Sequence, residues 1–131
     1  MLKTQFTLYM ENRPGALFAV TCRLAEEKIN IEGLSVAGSE DTALAQIITS
    51  DDEATHALLK ATATPYSTEN VAVLAMRNEP GALSRGLARL SKAGVNIDYL
   101  YGTCSDCSAT DQYNIVISAP DLQAVEDAWG D

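Results

Sequence analysis

Asn12-Arg13-Pro14-Gly15-Ala16-Leu17 recurs as Asn78-Glu79-Pro80-Gly81-Ala82-Leu83, an offset of 66 residues. At the same offset Leu24 falls on Leu90, Ile29 on Val95, Asn30 on Asn96 and Ile31 on Ile97. Glycine, proline and both asparagines coincide along with the apolar positions, which points to a duplicated unit. The expected boundaries are 1–68 for the first copy and 69–131 for the second. Two copies are too few for a solenoid, whose stability comes from several stacked repeats. A pseudo-symmetric pair is the expected organisation.

Periodicity around the repeated stretch gives the elements. Phe6, Leu8 and Met10 alternate with polar residues and predict a strand over Gln5–Met10. Leu17, Val20 and Leu24 then fall at helical spacing. Asn12 as cap, with Pro14 in the first turn, predicts where that helix starts. Strands follow over Ile29–Val36 and Ala43–Ile48, joined by a hairpin at Gly38-Ser39-Glu40-Asp41. Ser50 and Glu53 fit a capping box for a second helix, with Ala54, Ala57, Leu58 and Ala61 as its inner face. Residues 63–68 supply a short last strand, which Pro65 confines to an edge.

The order is β-α-β-β-α-β, the split βαβ arrangement of ferredoxin-like folds. The second copy repeats it with a strand over Val71–Met76 and a helix face of Leu83, Leu87 and Leu90. Gly94 stands where that helix ends, a place taken by Lys28 in the first copy. Hairpin strands over Ile97–Tyr101 and Tyr113–Ile117 come next, then a helix through Leu122, Val125 and Trp129, begun at Ser118 with Pro120 in its first turn. The chain then ends, so the second unit is expected to lack its last strand. That leaves Val71–Met76 as an open edge, to be covered by another chain or by the final segment of the first copy. The expected fold class is α+β: two ferredoxin-like βαββαβ units paired side by side.

Composition narrows the function. Among 131 residues, 18 Asp and Glu against 9 Lys and Arg give a formal net charge of −9. That charge repels phosphate backbones and anionic lipid, and the cations are scattered singly, so neither nucleic acid nor membrane is an expected partner. No apolar run approaches the ~18 residues of a spanning helix. The alternating N-terminus lacks the continuous apolar core of a signal peptide, and three cysteines do not make a secreted disulfide framework. The cytoplasm is the expected compartment.

Asn-x-Pro-Gly-Ala-Leu after a strand, followed by Asn-Ile 18 residues on in both copies, resembles the ACT domain. The resemblance spans essentially the whole chain as a stand-alone tandem pair, less the last strand. It implies a βαββαβ fold and regulation of amino-acid metabolism through a bound free amino acid. It further implies a ligand lying where two domains pair, held by the strand-to-helix turn of one and the helix-to-strand turn of the next. Carried over, the first site takes Asn12, Arg13, Gly15, Ala16 and Leu17, and its counterpart takes Asn78, Glu79, Gly81, Ala82 and Leu83. Asn30 with Ile31, and Asn96 with Ile97, come in across the interface.

The chemistry suits an α-amino acid. Backbone N–H groups at a helix start receive a carboxylate, glycine allows close approach, and an asparagine amide both donates and accepts. Each of these residues also has a purely structural use, as a turn or a helix start. Arg13 complements a carboxylate whereas Glu79 opposes one, so the two sites are expected to be unequal.

Cys104-Ser105-Asp106-Cys107 is the other constellation with possible chemistry. Two cysteines at this spacing supply half a tetrahedral zinc site or a redox pair. The remaining ligands, Cys22 and His56, fall on helices of the other copy, and no helix start follows the first cysteine to activate it. His56 borders an apolar stripe. No catalytic triad, P-loop or dinucleotide fingerprint occurs. Tyr99 and Tyr101 share a strand face, where they pack on the sheet or line a pocket.

The expectation is a non-enzymatic amino-acid-binding regulator, without cofactor or metal, that forms a homodimer and acts on an enzyme. The alternatives are a constitutive interaction module without ligand, and a metal-responsive sensor built on Cys104 and Cys107.

Overall fold

The computed structural model of the chain describes residues 1–103 and 112–130. It separates into two compact units, one of Thr4–Glu69 and the other of Met1–Lys3 with Asn70–Asp131. No helix is long and apolar enough to cross a membrane.

The Thr4–Glu69 unit contains most of β1 (Leu2–Glu11), then α1 (Ala16–Glu26), β2 (Ile31–Ser39), β3 (Thr42–Thr49) and α2 (Asp52–Ala61). It also holds the opening residues of β4 (Tyr66–Arg77). β3 lies between β2 and β1, antiparallel to both. Phe6 stands opposite Ile47 and Leu8 opposite Ala45, so alternate residues of both strands point to one face. Those four close with Leu24, Ile29 and Leu59 into a buried core. β4 enters beside β1, where the Tyr9 N–H donates to the Pro65 carbonyl at 3.0 Å. Pro65, which has no N–H to give, precedes the strand rather than interrupting it.

The second unit contains the rest of β4, then α3 (Ala82–Lys92), β5 (Tyr99–Thr103), β6 (Gln112–Ser118) and α4 (Leu122–Trp129). β6 lies between β4 and β5, antiparallel to both. Its core is Ala72, Leu74, Leu90, Ile115, Ile117, Val125 and Trp129. Among the described residues no strand follows α4. The flank of β4 is nevertheless paired: the Val73 N–H donates to the Met1 carbonyl at 2.8 Å. The covering segment is the opening of β1, not another chain or the close of the first copy. The Met1 ammonium donates in turn to the Val73 carbonyl at 3.1 Å and pairs with Glu126 at 2.6 Å.

Several local expectations are corrected. The segments foreseen as two strands, 63–68 and Val71–Met76, are the single strand β4. Asn12 and Pro14 do not open α1. Gly15 is its N-cap, and the prolines belong to the turns described below. The α2 cap is Asp51, whose carboxylate accepts from the Ala54 N–H at 3.0 Å. Ser50 instead accepts the Asn30 N–H at 2.9 Å, so its hydroxyl is already engaged. Thr55 and Leu59 form the buried face of α2, while Ala57 and Ala61 are exposed. α4 starts at Leu122 with Asp121 as cap, not at Ser118.

Candidate functional site

Each repeated stretch folds as a turn between a strand and a helix. In the first, the Ala16 N–H donates to the Arg13 carbonyl at 3.3 Å, and Gly15 has φ 88° and ψ −13°. In the second, the Ala82 N–H donates to the Glu79 carbonyl at 3.2 Å, and Gly81 has φ 88° and ψ −11°. These are type II turns, with proline at the second position supplying its fixed φ and glycine at the third supplying the left-handed one. Proline and glycine recur together because this turn requires both. Neither α1 nor α3 receives a side-chain cap at its start. The Ala16 and Ala82 N–H groups are spent within the turns, and no side chain caps the helix N–H groups that follow them at the positive end of the helix dipole.

Asn12 is held by the hairpin that follows α1. Its Nδ2 donates to the Glu40 carbonyl at 2.9 Å, and its backbone N–H donates to the Asp41 carbonyl at 2.8 Å. Its amide lies across Gly38, where a Cβ would stand 2.9 Å away. The asparagine thus bolts the turn to the β2–β3 hairpin and spends one of its two side-chain N–H donors there. Asn78 is exposed at the equivalent place in the second unit. The segment corresponding to that hairpin tip lies outside the described residues.

The charged residues of the two turns are arranged differently. Arg13 Nε donates to the Glu11 carboxylate at 2.7 Å, and both side chains are largely exposed. Glu79 pairs with Arg85, six residues further on in the first turn of α3, at 2.6 Å. Arg85 also lies over the second turn, with its Nη1 3.1 Å from where a Cβ on Gly81 would stand. Around Gly15 the same construction meets no atom within 4 Å. Ala16 and Leu17 are half-buried, whereas Ala82 is buried and Leu83 exposed. Arg85 escaped the reading of the sequence. Its signal was there in the offset, since Ala19 occupies its place in the first copy.

Asn30 and Ile31 sit at the far end of α1 from Asn12. The Asn30 N–H and carbonyl are taken by Ser50, through its Oγ and its backbone N–H, both at 2.9 Å. An 11-residue helix separates the two places, which at 1.5 Å per residue is roughly 16 Å. One small ligand cannot touch both within a unit. Asn96 and Ile97 are likewise separated from the second turn by the 11 residues of α3. The turn residues of each unit lie together, and Asn30 with Ile31, and Asn96 with Ile97, lie at the opposite ends of the helices of their own units.

The remaining candidates are structural or undescribed. His56 Nδ1 and the Tyr66 hydroxyl are hydrogen-bonded at 2.9 Å, and the imidazole meets the Phe6 ring edge-on at 4.9 Å. Cys22 is half-buried on α1. Tyr99 and Tyr101 are half-buried on β5, opposite Ser118 and Val116. Cys104 and Cys107 lie outside the described residues. Among the described residues no group of histidine, cysteine and carboxylate side chains is placed to hold a metal ion.

The duplicated α+β unit, with this strand order and a glycine turn before its first helix, defines a paired ferredoxin-like fold. The chain belongs to the ACT domain pair family, whose model matches residues 1–122. It is similar to the crystal structure of protein BT0572 from Bacteroides thetaiotaomicron, with 30% identity and a TM-score of 0.88 over 98% of this chain and 86% of that one. The regulatory subunit of aspartate kinase from Thermus thermophilus has a similar fold at 14% identity, with a TM-score of 0.67 over 95% of this chain and 89% of that one. The corresponding subunit from Thermus flavus gives 16% identity and a TM-score of 0.62, over 98% and 92%. No curated protein matches the chain.

Proposed function

We propose that this protein is a non-enzymatic regulator that binds a free amino acid between ACT units, of one chain or of two, and passes that state to a metabolic enzyme. The observation that carries the reading is the pair of type II turns opening onto uncapped helix starts. Each leaves the helix N–H groups after the turn without a side-chain cap, a place that receives a carboxylate, and at Gly15 the glycine leaves room for it. Asn30 and Asn96, at the opposite ends of the helices, complete a site only when a second unit brings them in. Regulation then follows from assembly, because a ligand bridging two units favours the arrangement in which they meet. A homodimer in the cytoplasm is the form expected to act.

The test is thermal unfolding against each of the twenty amino acids, and against zinc. A ligand of the native state stabilises by RT ln(1 + [L]/Kd), about 2.7 kcal/mol at a hundredfold excess over Kd. A shift with one amino acid or a related few supports the reading. A shift with zinc alone moves the argument to Cys104 and Cys107.

A second reading is a constitutive interaction module. It is favoured by the engagement of Asn12 with the hairpin, which gives that residue a structural use in the absence of ligand. No shift with any amino acid, in a protein that still dimerises, decides for it.

A further inference from the structure

We infer that the two turns are not equivalent receptors: the turn at Gly81 is latched shut by Glu79 and Arg85, and the amino acid is taken at the turn of Gly15. The inference rests on the amino-acid-binding function proposed above and assigns the ligand to one of the two places. It stands on three differences between otherwise matching turns. The backbones agree within 2° in ψ and have the same φ of 88°, so neither is distorted relative to the other. Their covers differ.

Over Gly81 lies the guanidinium of Arg85, 3.1 Å from where a Cβ would be, while a Cβ on Gly15 would meet nothing within 4 Å. Arg85 is held there by Glu79 at 2.6 Å. A carboxylate of the chain itself therefore already satisfies the cation nearest the second helix start. An incoming carboxylate must displace Glu79 from Arg85, or meet the like charge of Glu79. In the first copy both halves of the latch are absent: Arg13 replaces Glu79 and Ala19 replaces Arg85. Arg13 adds a cation instead, tied only to Glu11 through Nε at 2.7 Å, with the two side chains 61% and 76% exposed. Such an exposed pair is worth little, and with Ala19 in the place of Arg85 it leaves the approach to Gly15 uncovered.

The latch is an exposed pair too, with side chains 56% and 45% exposed. Its effect is mainly steric and local: it occupies the approach to the glycine rather than stabilising the fold. Removing it should open the second turn without unfolding the protein, and transplanting it should close the first.

The experiment is a ¹⁵N NMR titration of the full chain with glycine, and then with each of the other nineteen proteinogenic amino acids in turn. The amides of Gly15, Ala16 and Leu17 and those of Gly81, Ala82 and Leu83 are followed separately. In the wild-type protein the first set is expected to respond with an affinity at least tenfold above the second. Arg85→Ala should bring the second set to within about threefold of the first. Arg13→Glu combined with Ala19→Arg, both at exposed positions, should weaken the first set at least tenfold.

Equal response of both turns in the wild-type protein, or response of the second alone, overturns the inference and leaves the binding function standing. Response of the first turn alone in both the wild-type and Arg85→Ala proteins also overturns it, because the latch is then not the cause. No response at either turn to any amino acid, in all three proteins, rejects the binding function and the inference together.

Discussion

Trp129 lies so close to Gly86 that a Cβ on the glycine would stand 2.4 Å from the indole ring. The indole is 2% exposed, and its Nε1 donates to the Ala75 carbonyl at 3.0 Å. Glycine in a helix interior ordinarily weakens it, by roughly 0.5–1 kcal/mol relative to alanine. Here the missing side chain is what lets the ring reach the sheet. In the first copy the same helix position is Val20, packed on a core that has no tryptophan.

Gly86→Ala therefore has two opposed effects, and the contact decides the sign. Overpacking against a rigid ring costs about 1–3 kcal/mol, which exceeds the gain in helix propensity. The variant should unfold at a lower urea concentration than the wild-type protein. Gly86→Ala in a Trp129→Leu background should lose less than in the wild-type background, because the flexible side chain can yield. A stabilised Gly86→Ala protein would mean that the indole does not occupy this place.

The ends of α1 and α3 give a prediction of opposite sign. Both close with the same hydrogen bond, from the N–H of Ile29 to the Leu24 carbonyl and from that of Val95 to the Leu90 carbonyl, at 2.9 and 3.0 Å. Both need a left-handed residue, and φ is 59° at Lys28 and 74° at Gly94. Lysine accepts that conformation at a cost that glycine does not incur. Lys28→Gly should raise stability by about 0.5–1 kcal/mol, and Gly94→Ala should lower it by about the same amount. Paired thermal melts of the two variants check both signs.

Much of this architecture is legible before folding, because duplication prints the structural requirements the two units share twice. Pro14 with Gly15, and Pro80 with Gly81, marked a chain reversal, and the alternation of Phe6, Leu8 and Met10 marked a core strand. What those residues do within the turn was not legible. Proline and glycine suit a helix start as well as a type II turn, and only the backbone angles decide between them. The cover on β4 was also hidden, since the pairing of Met1 with Val73 joins residues 72 positions apart. Of the site, the residue types at the turns were readable. The replacement of Ala19 by Arg85 stands in the offset, but the role of Arg85 does not, because it depends on where a flexible side chain comes to rest.

Asn12 provides a test of coupling between turn and hairpin. Asn12→Ala removes the donor to the Glu40 carbonyl, an exposed hydrogen bond worth roughly 0.5–1.5 kcal/mol. Asn12→Asp keeps the shape but puts an acceptor against that carbonyl, and should cost at least as much. Faster amide exchange across Gly38–Asp41 in both variants, with little change in the cores, is the expected result. Unchanged exchange there would place the hold on the hairpin in the Asn12–Asp41 backbone bond alone.

The entry to α2 separates two residues that share one stretch of sequence. Asp51 caps the helix through the Ala54 N–H, while Ser50 turns back to the Asn30 N–H. Asp51→Ala should therefore cost about 1 kcal/mol, as loss of a helix cap does, and Asp51→Asn should recover most of it. Ser50→Ala should leave the helix start intact and instead expose the Asn30 amide to exchange. If Ser50→Ala weakens α2 as much as Asp51→Ala does, the capping box read from Ser50 and Glu53 is the better description. The hydroxyl would then be free of Asn30, and Asn30 would have to find another partner to hold the loop it opens.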